Sequence, residues 1–298
     1  MRTWALEVDY DTRTEDNMID VDCYNCGSHR RSFYAEENGF TLVKCAECGL
    51  LYVTPRPSLE EISAAHRLGV HDGDATLEVT GQFNEYRILA YLRILRDLYG
   101  GELRAGQQQL TWLDIGCGHG EFMTAIQEFS GNIVAATGIE PNLHKQASAQ
   151  ARGLNVSYFD LAGHENQYDF LSLLNVYSHL PDPKESLSGW KRLLKPGGEL
   201  LLETGDTASL SSEEYLRPFK LPDHLSFASQ EIVVGILEDI GFEVLAIGKY
   251  PYPFVELSGS RFVKELLKLL WPDRQSRIRY FGQKYRTDMF VRARRPSE

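Results

Sequence analysis

Leu113-Asp114-Ile115-Gly116-Cys117-Gly118-His119-Gly120-Glu121-Phe122 is the stretch on which the reading of the fold turns. Residues 111–115 have the apolar make-up of a short strand, and residues 121–129 have the spacing of a helix. Between them glycine recurs at every second position, 116, 118 and 120. A glycine-rich turn from strand into helix lets a ligand come close to the backbone, a property many nucleotide binders share. Two details narrow the ligand. The spacing is G-x-G-x-G rather than the G-x-G-x-x-G of dinucleotide sites, and Asp114 stands just ahead of the turn, where it would repel a pyrophosphate.

Outward from this turn, strand-like and helical stretches alternate to the end of the chain. Residues 111–115, 132–139, 155–158, 169–174, 199–204, 242–247 and 287–294 read as strands, and 121–129, 142–150, 184–194 and 230–240 as helices. That order predicts an α/β, doubly wound, mostly parallel seven-stranded sheet with ligands at the carboxyl ends of its strands. The second strand runs into Glu140, 20 residues past Gly120, where an acid can grip both hydroxyls of a ribose. Pro141 follows, in a position to pack on an adenine. S-adenosylmethionine meets these conditions: its sulfonium and ammonium suit Asp114 and its ribose suits Glu140. Upstream, Phe83, Ile88, Leu89, Leu92, Leu95 and Leu98 recur at helical spacing, and Gly100-Gly101 ends that helix.

Four of the five cysteines form the pattern C-x2-C-x18-C-x2-C: Cys23, Cys26, Cys45 and Cys48. Turn residues flank each pair, Asn25 and Gly27 at the first and Gly49 at the second, so each pair can grip one edge of a tetrahedral ion. Four thiolates leave no open position, which argues for structural zinc rather than a catalytic one. Strand-like pieces at 31–34, 40–43 and 50–53 complete the layout of a zinc ribbon. His29 is a spare nitrogen donor nearby, read as exposed. A segment of this size has too little core to fold alone, and zinc supplies the missing stability.

The 298 residues include 42 Asp plus Glu against 31 Lys plus Arg, a formal charge of −11. Residues 261–298 carry 11 basic and 4 acidic side chains, a local +7 that leaves −18 for the rest. The acidic body argues against nucleic acid as a partner. So does the ribbon, where Arg30, Arg31, Lys44 and Arg56 face five acids between residues 20 and 57. No apolar run suits a membrane span and the first twenty residues have no leader pattern, so a cytoplasmic location with no membrane partner is expected. The amphipathic piece 262–271 reads as core or lid packing.

Taken together, the chain resembles class I S-adenosylmethionine-dependent methyltransferases that carry an N-terminal zinc ribbon. The resemblance rests on five motifs in order: the cysteine knuckles leading to Pro55-Arg56-Pro57, Asp114 to Gly120, Tyr168-Asp169-Phe170 leading to Asn175 through Pro183, Leu194-Lys195-Pro196-Gly197-Gly198, and Pro222 to Ser229. It implies a Rossmann-like sheet, with a ribbon over 18–57, a connector over 58–81 and the methyltransferase domain over 82–298. It implies that Asp114, Gly116, Cys117 and Gly118 line the methionine half of the cofactor, Asp160 and Leu161 the adenine edge, and Asn175 the amino-acid end, where many relatives have Asp. Cys117 is read as a small backbone-contact residue rather than a nucleophile, and Asp160 competes with an ordinary exposed loop acid.

A hydroxyl or acidic C–H acceptor must lose a proton, and histidine is suited to take it near neutral pH. His179 and His224 follow strands whose carboxyl ends face the cofactor, and His224, with Tyr215 and Asp223 near it in sequence, is the preferred base. The expected activity is methyl transfer to a hydroxyl or carbon of a small molecule, such as a sugar or secondary-metabolite intermediate. Two other readings stand beside it: an RNA-directed protein using the ribbon and basic segment, and a silent cofactor-binding scaffold.

Overall fold

The structure, a computed structural model, describes residues 18–101, 103, 109–161, 164–215, 217–251, 263, 266–267 and 287–297. At the N-terminal side β1 (Met18–Ile19) pairs with β5 (Arg56–Pro57), bracketing a meander of β2 (Arg31–Glu37), β3 (Phe40–Cys45) and β4 (Leu51–Val53). Next come α1 (Leu59–Leu68) and the small hairpin of β6 (Val70–His71) and β7 (Leu77–Glu78). Ser58 and Glu61 close a reciprocal cap on the first turn of α1, and Gly69, at φ 74°, ends it. The helix α2 (Glu85–Tyr99) leads into the α/β body.

That body alternates β8 (Leu110–Ile115), α3 (Glu121–Ser130), β9 (Val134–Glu140), α4 (Leu143–Gln150), β10 (Val156–Tyr158), β11 (Tyr168–Leu174), α5 (Pro183–Trp190), β12 (Leu194–Gly205), β13 (Ser226–Phe227), α6 (Gln230–Asp239), β14 (Glu243–Pro251) and β15 (Thr287–Arg294). Seven strands form one sheet in the order β10-β9-β8-β11-β12-β15-β14, in which β15 runs antiparallel to both neighbours. This is the mostly parallel, Rossmann-like sheet that the alternation predicts. Core lies on both faces, as a doubly wound sheet requires. One cluster joins Leu113, Leu171 and Leu202 to ribbon residues such as Leu42 and Leu51. The other gathers Trp112, Phe122 and Ile126 under α2, with Trp112 stacked on Phe170 at 4.7 Å between centroids.

Three local expectations need correction. The helix expected over 184–194 ends at Trp190, passes through a 3₁₀ turn at Lys191–Leu193, and gives way to β12 at Leu194. The turn expected at 194–198 lies inside that strand as a bulge. The β11–β12 register jumps from Tyr168↔Leu194 to Phe170↔Glu199, and Gly197 bends back at φ 78°. In the amphipathic piece 262–271, Val263, Leu266 and Leu267 are all exposed, so these positions are not core, and the rest lies outside the described residues. Part of the basic segment is committed internally, because Arg292 and Arg294 both bond the buried Glu199 across the sheet. Among the described residues no helix is long and apolar enough to cross a membrane.

The cysteine-bearing segment and the body share a sheet. β13, from the body, pairs antiparallel with β4 and extends the meander to four strands. The insertion between β12 and α6 is therefore built against the ribbon.

Candidate active site

The glycine turn sits at the carboxyl edge of β8, beside the place where strand order reverses between β9 and β11. Its glycines are required. At Gly116, φ 69°, an added Cβ would meet Val176 Cγ2 at 2.5 Å, and at Gly120, φ 90°, it would meet Leu154 Cδ1 at 2.1 Å. The amide of Gly118 donates to Glu140 Oε2 at 2.7 Å, and the amide of Asn142 donates to Oε1 at 2.9 Å. Both oxygens of Glu140 are thus fixed while each keeps a lone pair for a ribose hydroxyl.

Asp114 is buried and accepts from the Ser172 hydroxyl, whose oxygen accepts from Trp112 Nε1 at 2.8 Å. Burial pushes the Asp114 carboxyl up to about 7; the Ser172 bond works against this, and the negative charges of Glu140 and Glu121 add to the rise. Three buried carboxylates, Asp114, Glu121 and Glu140, thus surround one short turn. Such a shell favours a cation and disfavours a phosphate. Cys117 points inward, where a Cβ on Gly138 would come within 2.6 Å of its Sγ, and burial holds its thiol protonated. Leu161 is buried, Pro141 half-buried, and Asp160 and Asn175 exposed, Asn175 in the left-handed region at φ 58°.

Across the edge from this turn stands a cluster of imidazoles. His179 ends a 3₁₀ turn (Tyr177–His179) that follows Asn175, and its Nδ1 lies 2.8 Å from the carbonyl oxygen of Asp223 and 3.1 Å from Asp223 Oδ1. His224 packs edge-on against His179 at 4.8 Å between centroids. The structure also brings in His66 from α1 and His71 from β6, which pack on each other at 5.5 Å, and His66 packs on His179 at 6.0 Å. His71 Nε2 lies 3.2 Å from Asp223 Oδ1. Burial opposes charge on His179, but Asp223 outweighs it and raises its pKa. Burial, reinforced by the charge of His179, lowers His224 to about 3 and His66 to about 4. Of the two candidate bases, His179 is thus the one whose protonated form its surroundings favour. His224, its pKa lowered, lies between His179 and Phe227, whereas Asp223 stands behind Nδ1 of His179.

The four cysteines converge at the far side of this cluster. Their sulfurs lie within 4.8 Å of one another, with Cys23–Cys48 and Cys26–Cys45 both 3.5 Å apart, too long for disulfides and suited to a shared ion. Gly27, φ 71°, donates to Cys23 O at 2.7 Å and Gly49, φ 76°, to Cys45 O at 3.1 Å, which closes both knuckles. Within the first knuckle Tyr24 bonds Tyr177 at 3.1 Å and Ser226 at 3.2 Å, tying the ribbon to the turn that carries His179. Glu37 accepts from the amides of Phe219, Lys220 and Leu221, just ahead of Asp223. The donor set fits a structural zinc, which Cys23, Cys26, Cys45 and Cys48 would hold.

Comparison with known proteins bears on the acidic half of the site. The profile described as a methyltransferase domain matches residues 83–247, more than half of the chain. The chain belongs to the methyltransferase-domain family. A ubiquinone biosynthesis O-methyltransferase of Saccharophagus degradans is 33% identical over 134 residues, covering 40% of this chain and 53% of that protein. One of Citrobacter koseri is 28% identical over 127 residues, covering 40% and 52%. This methyltransferase chain thus spans about half the length of the curated relatives it matches. A solved coclaurine N-methyltransferase bound to N-methylheliamine and SAH superposes with a TM-score of 0.50 at 14% identity, over 69% of this chain and 72% of that one, and shares the fold. S-adenosylmethionine is the cofactor expected of this family, and the glycine turn, Asp114 and Glu140 fit it.

Sequence reasoning missed His66, His71 and the shared role of Asp223. Two histidines in an acidic connector carry no motif, and nothing in the sequence ties them to Asp223.

Proposed function

We propose that the protein transfers a methyl group from S-adenosylmethionine to a hydroxyl oxygen or acidic carbon of a small molecule, such as an oxygen-rich intermediate of sugar or secondary metabolism. The observation that carries this reading is the juxtaposition of a carboxylate-lined glycine turn with the His179–Asp223 pair across the same sheet edge. The bound cofactor supplies an electrophilic methyl group on a good leaving group, so that positioning and removal of the acceptor proton are left to the protein. Asp114 and Glu121 favour the cationic end, Glu140 holds the ribose, and Pro141 with Leu161 flanks the adenine. Asp160 and Asn175, both exposed at the same edge, are open to the cofactor's outer atoms. Asp223 holds Nδ1 of His179, which leaves Nε2 to take the acceptor proton. His224, held neutral, contacts the acceptor. The ribbon over 18–57, closed by zinc, acts as a buttress for the acceptor side of the domain over 82–298, and the connector over 58–81 roofs the cleft. The O-methyltransferase names of the curated relatives favour an oxygen acceptor.

The test uses the full chain with S-adenosylmethionine labelled in the methyl group, incubated with phenols, sugar nucleotides and a metabolite extract. Label in a small-molecule fraction, lost in His179→Ala with cofactor binding retained, is the expected result. Cofactor binding without transfer to any fraction, or transfer into RNA instead, would overturn the reading.

A further inference from the structure

The imidazole cluster holds more nitrogen donors than proton transfer uses. His66 Nε2 and His71 Nε2 are buried without hydrogen-bond partners, and His71 is 3% exposed. Asp223 Oδ1 stands 3.2 Å from His71 Nε2, yet the pair is not aligned as a hydrogen bond. One donor atom from each of His66, His71 and Asp223 falls within 4.8 Å of the other two. Buried polar atoms left unpaired cost about 1–3 kcal/mol each, so native structures rarely leave two facing one carboxylate. A bridging water can bond all three atoms, and so can a cation, which also takes up the negative charge of Asp223 that a water leaves in place.

The fold delivers these donors deliberately. The capped helix α1 places His66 on its last turn, and Gly69 turns the chain so that β6 presents His71 three residues from the helix end. The His66 carbonyl is held by Asn142 Nδ2 at 3.3 Å, on the segment that also braces Glu140. Asp223 comes from the insertion clamped by Glu37. Three separate elements thus meet at one point within reach of the cofactor edge.

From this arrangement we infer that His66, His71 and Asp223 form a second metal site, distinct from the cysteine tetrad, for a divalent transition ion of the zinc class. Two imidazoles and a carboxylate suit borderline ions and leave coordination positions open, unlike the closed four-cysteine set. An acceptor hydroxyl in such a position would be fixed and acidified, and an acceptor carbonyl polarised so that its neighbouring C–H is acidified. His179 keeps its bond to the Asp223 carbonyl, which does not depend on the carboxylate.

The test counts zinc by elemental mass spectrometry on the full chain, equilibrated with zinc and freed of loose ions on a weak chelator. One ion beyond the cysteine-bound zinc is expected in the wild type, and it should be lost in His66→Ala/His71→Ala and in Asp223→Asn. Calorimetry with S-adenosylmethionine guards against misfolding, since the double variant should keep cofactor affinity. Cobalt(II) titration offers a second readout: a component lacking thiolate charge-transfer bands should appear in the wild type alone. A wild type that holds only the cysteine-bound zinc, or a double variant that retains the extra ion, overturns the proposal. The count is made on the resting protein without acceptor, so its failure leaves the methyl-transfer reading standing, and the reverse holds as well.

Discussion

The two sides of the cleft are made of opposite materials. Around the glycine turn, Asp114, Glu121 and Glu140 are buried carboxylates within one β-α-β unit. Across from them, four imidazoles crowd a single carboxylate, Asp223. The first side is rigid because its bonds are local: Gly118 and Asn142 hold Glu140, and neighbouring strands hold Asp114 through Ser172. The second side is assembled from α1, β6, the turn after β11 and the insertion before β13, and it depends on the ribbon to hold them. Asp223 alone gathers partners 44 and 152 residues away, His179 and His71. On the proposed reading, a locally built acidic seat for the cofactor faces a remotely built seat for the acceptor, and perturbations should separate the two.

The largest separation should come from the ribbon. Structural zinc in small domains contributes about 10 to 16 kcal/mol of apparent binding energy that is also folding energy. Cys45→Ser should lose the cysteine-bound zinc, lower the thermal midpoint, and abolish turnover with S-adenosylmethionine affinity weakened far less. Zinc analysis, differential scanning calorimetry and a cofactor titration on one sample read all three. Equal loss of cofactor and acceptor binding would mean that the two sides are not separable. Next in size, His179→Ala removes the proposed proton acceptor and should cost about 10²- to 10⁴-fold in kcat, with cofactor affinity unmoved. A change confined to KM would turn His179 into a binding residue. Smaller again, Glu140→Ala should weaken S-adenosylmethionine by about 1.5 to 3 kcal/mol, the scale of a charged hydrogen bond, while leaving zinc content untouched. Unchanged affinity in a calorimetric titration would remove Glu140 from the ribose grip.

The same contrast explains what could be read from the chain. The acidic side is legible because strand, glycine turn, helix and second strand follow one another, so Asp114, the three glycines and Glu140 are spaced by local geometry. The ribbon is legible for the same reason, each knuckle being four residues long. The sheet order follows from alternation, but the bulge at Lys195–Gly198 does not, because Pro-Gly-Gly reads as a turn whether it ends a strand or interrupts one. His66 and His71 are silent in sequence. Nothing near them in the chain says that they face Asp223, and the pairing exists only because β13 joins the ribbon sheet and carries the insertion under the connector. That the Asp223 carbonyl and carboxylate face His179 rather than His224 was equally out of reach.

Selection of a cationic cofactor would rest on the buried carboxylates at the glycine turn. It is tested most directly by calorimetric affinity of the wild-type chain for S-adenosylmethionine across about pH 5.5 to 7.5, with NAD titrated in parallel. Asp114 has a raised pKa, so below about 7 it carries a proton in the free protein and its attraction for a cation is lost. Affinity for S-adenosylmethionine should therefore rise with pH, by up to about tenfold per unit, and level off above about 7, in keeping with one linked proton. NAD, whose pyrophosphate meets the same carboxylates, should bind weakly throughout. Tighter binding of NAD than of S-adenosylmethionine, or a cofactor affinity that is flat across this range, would contradict the claim.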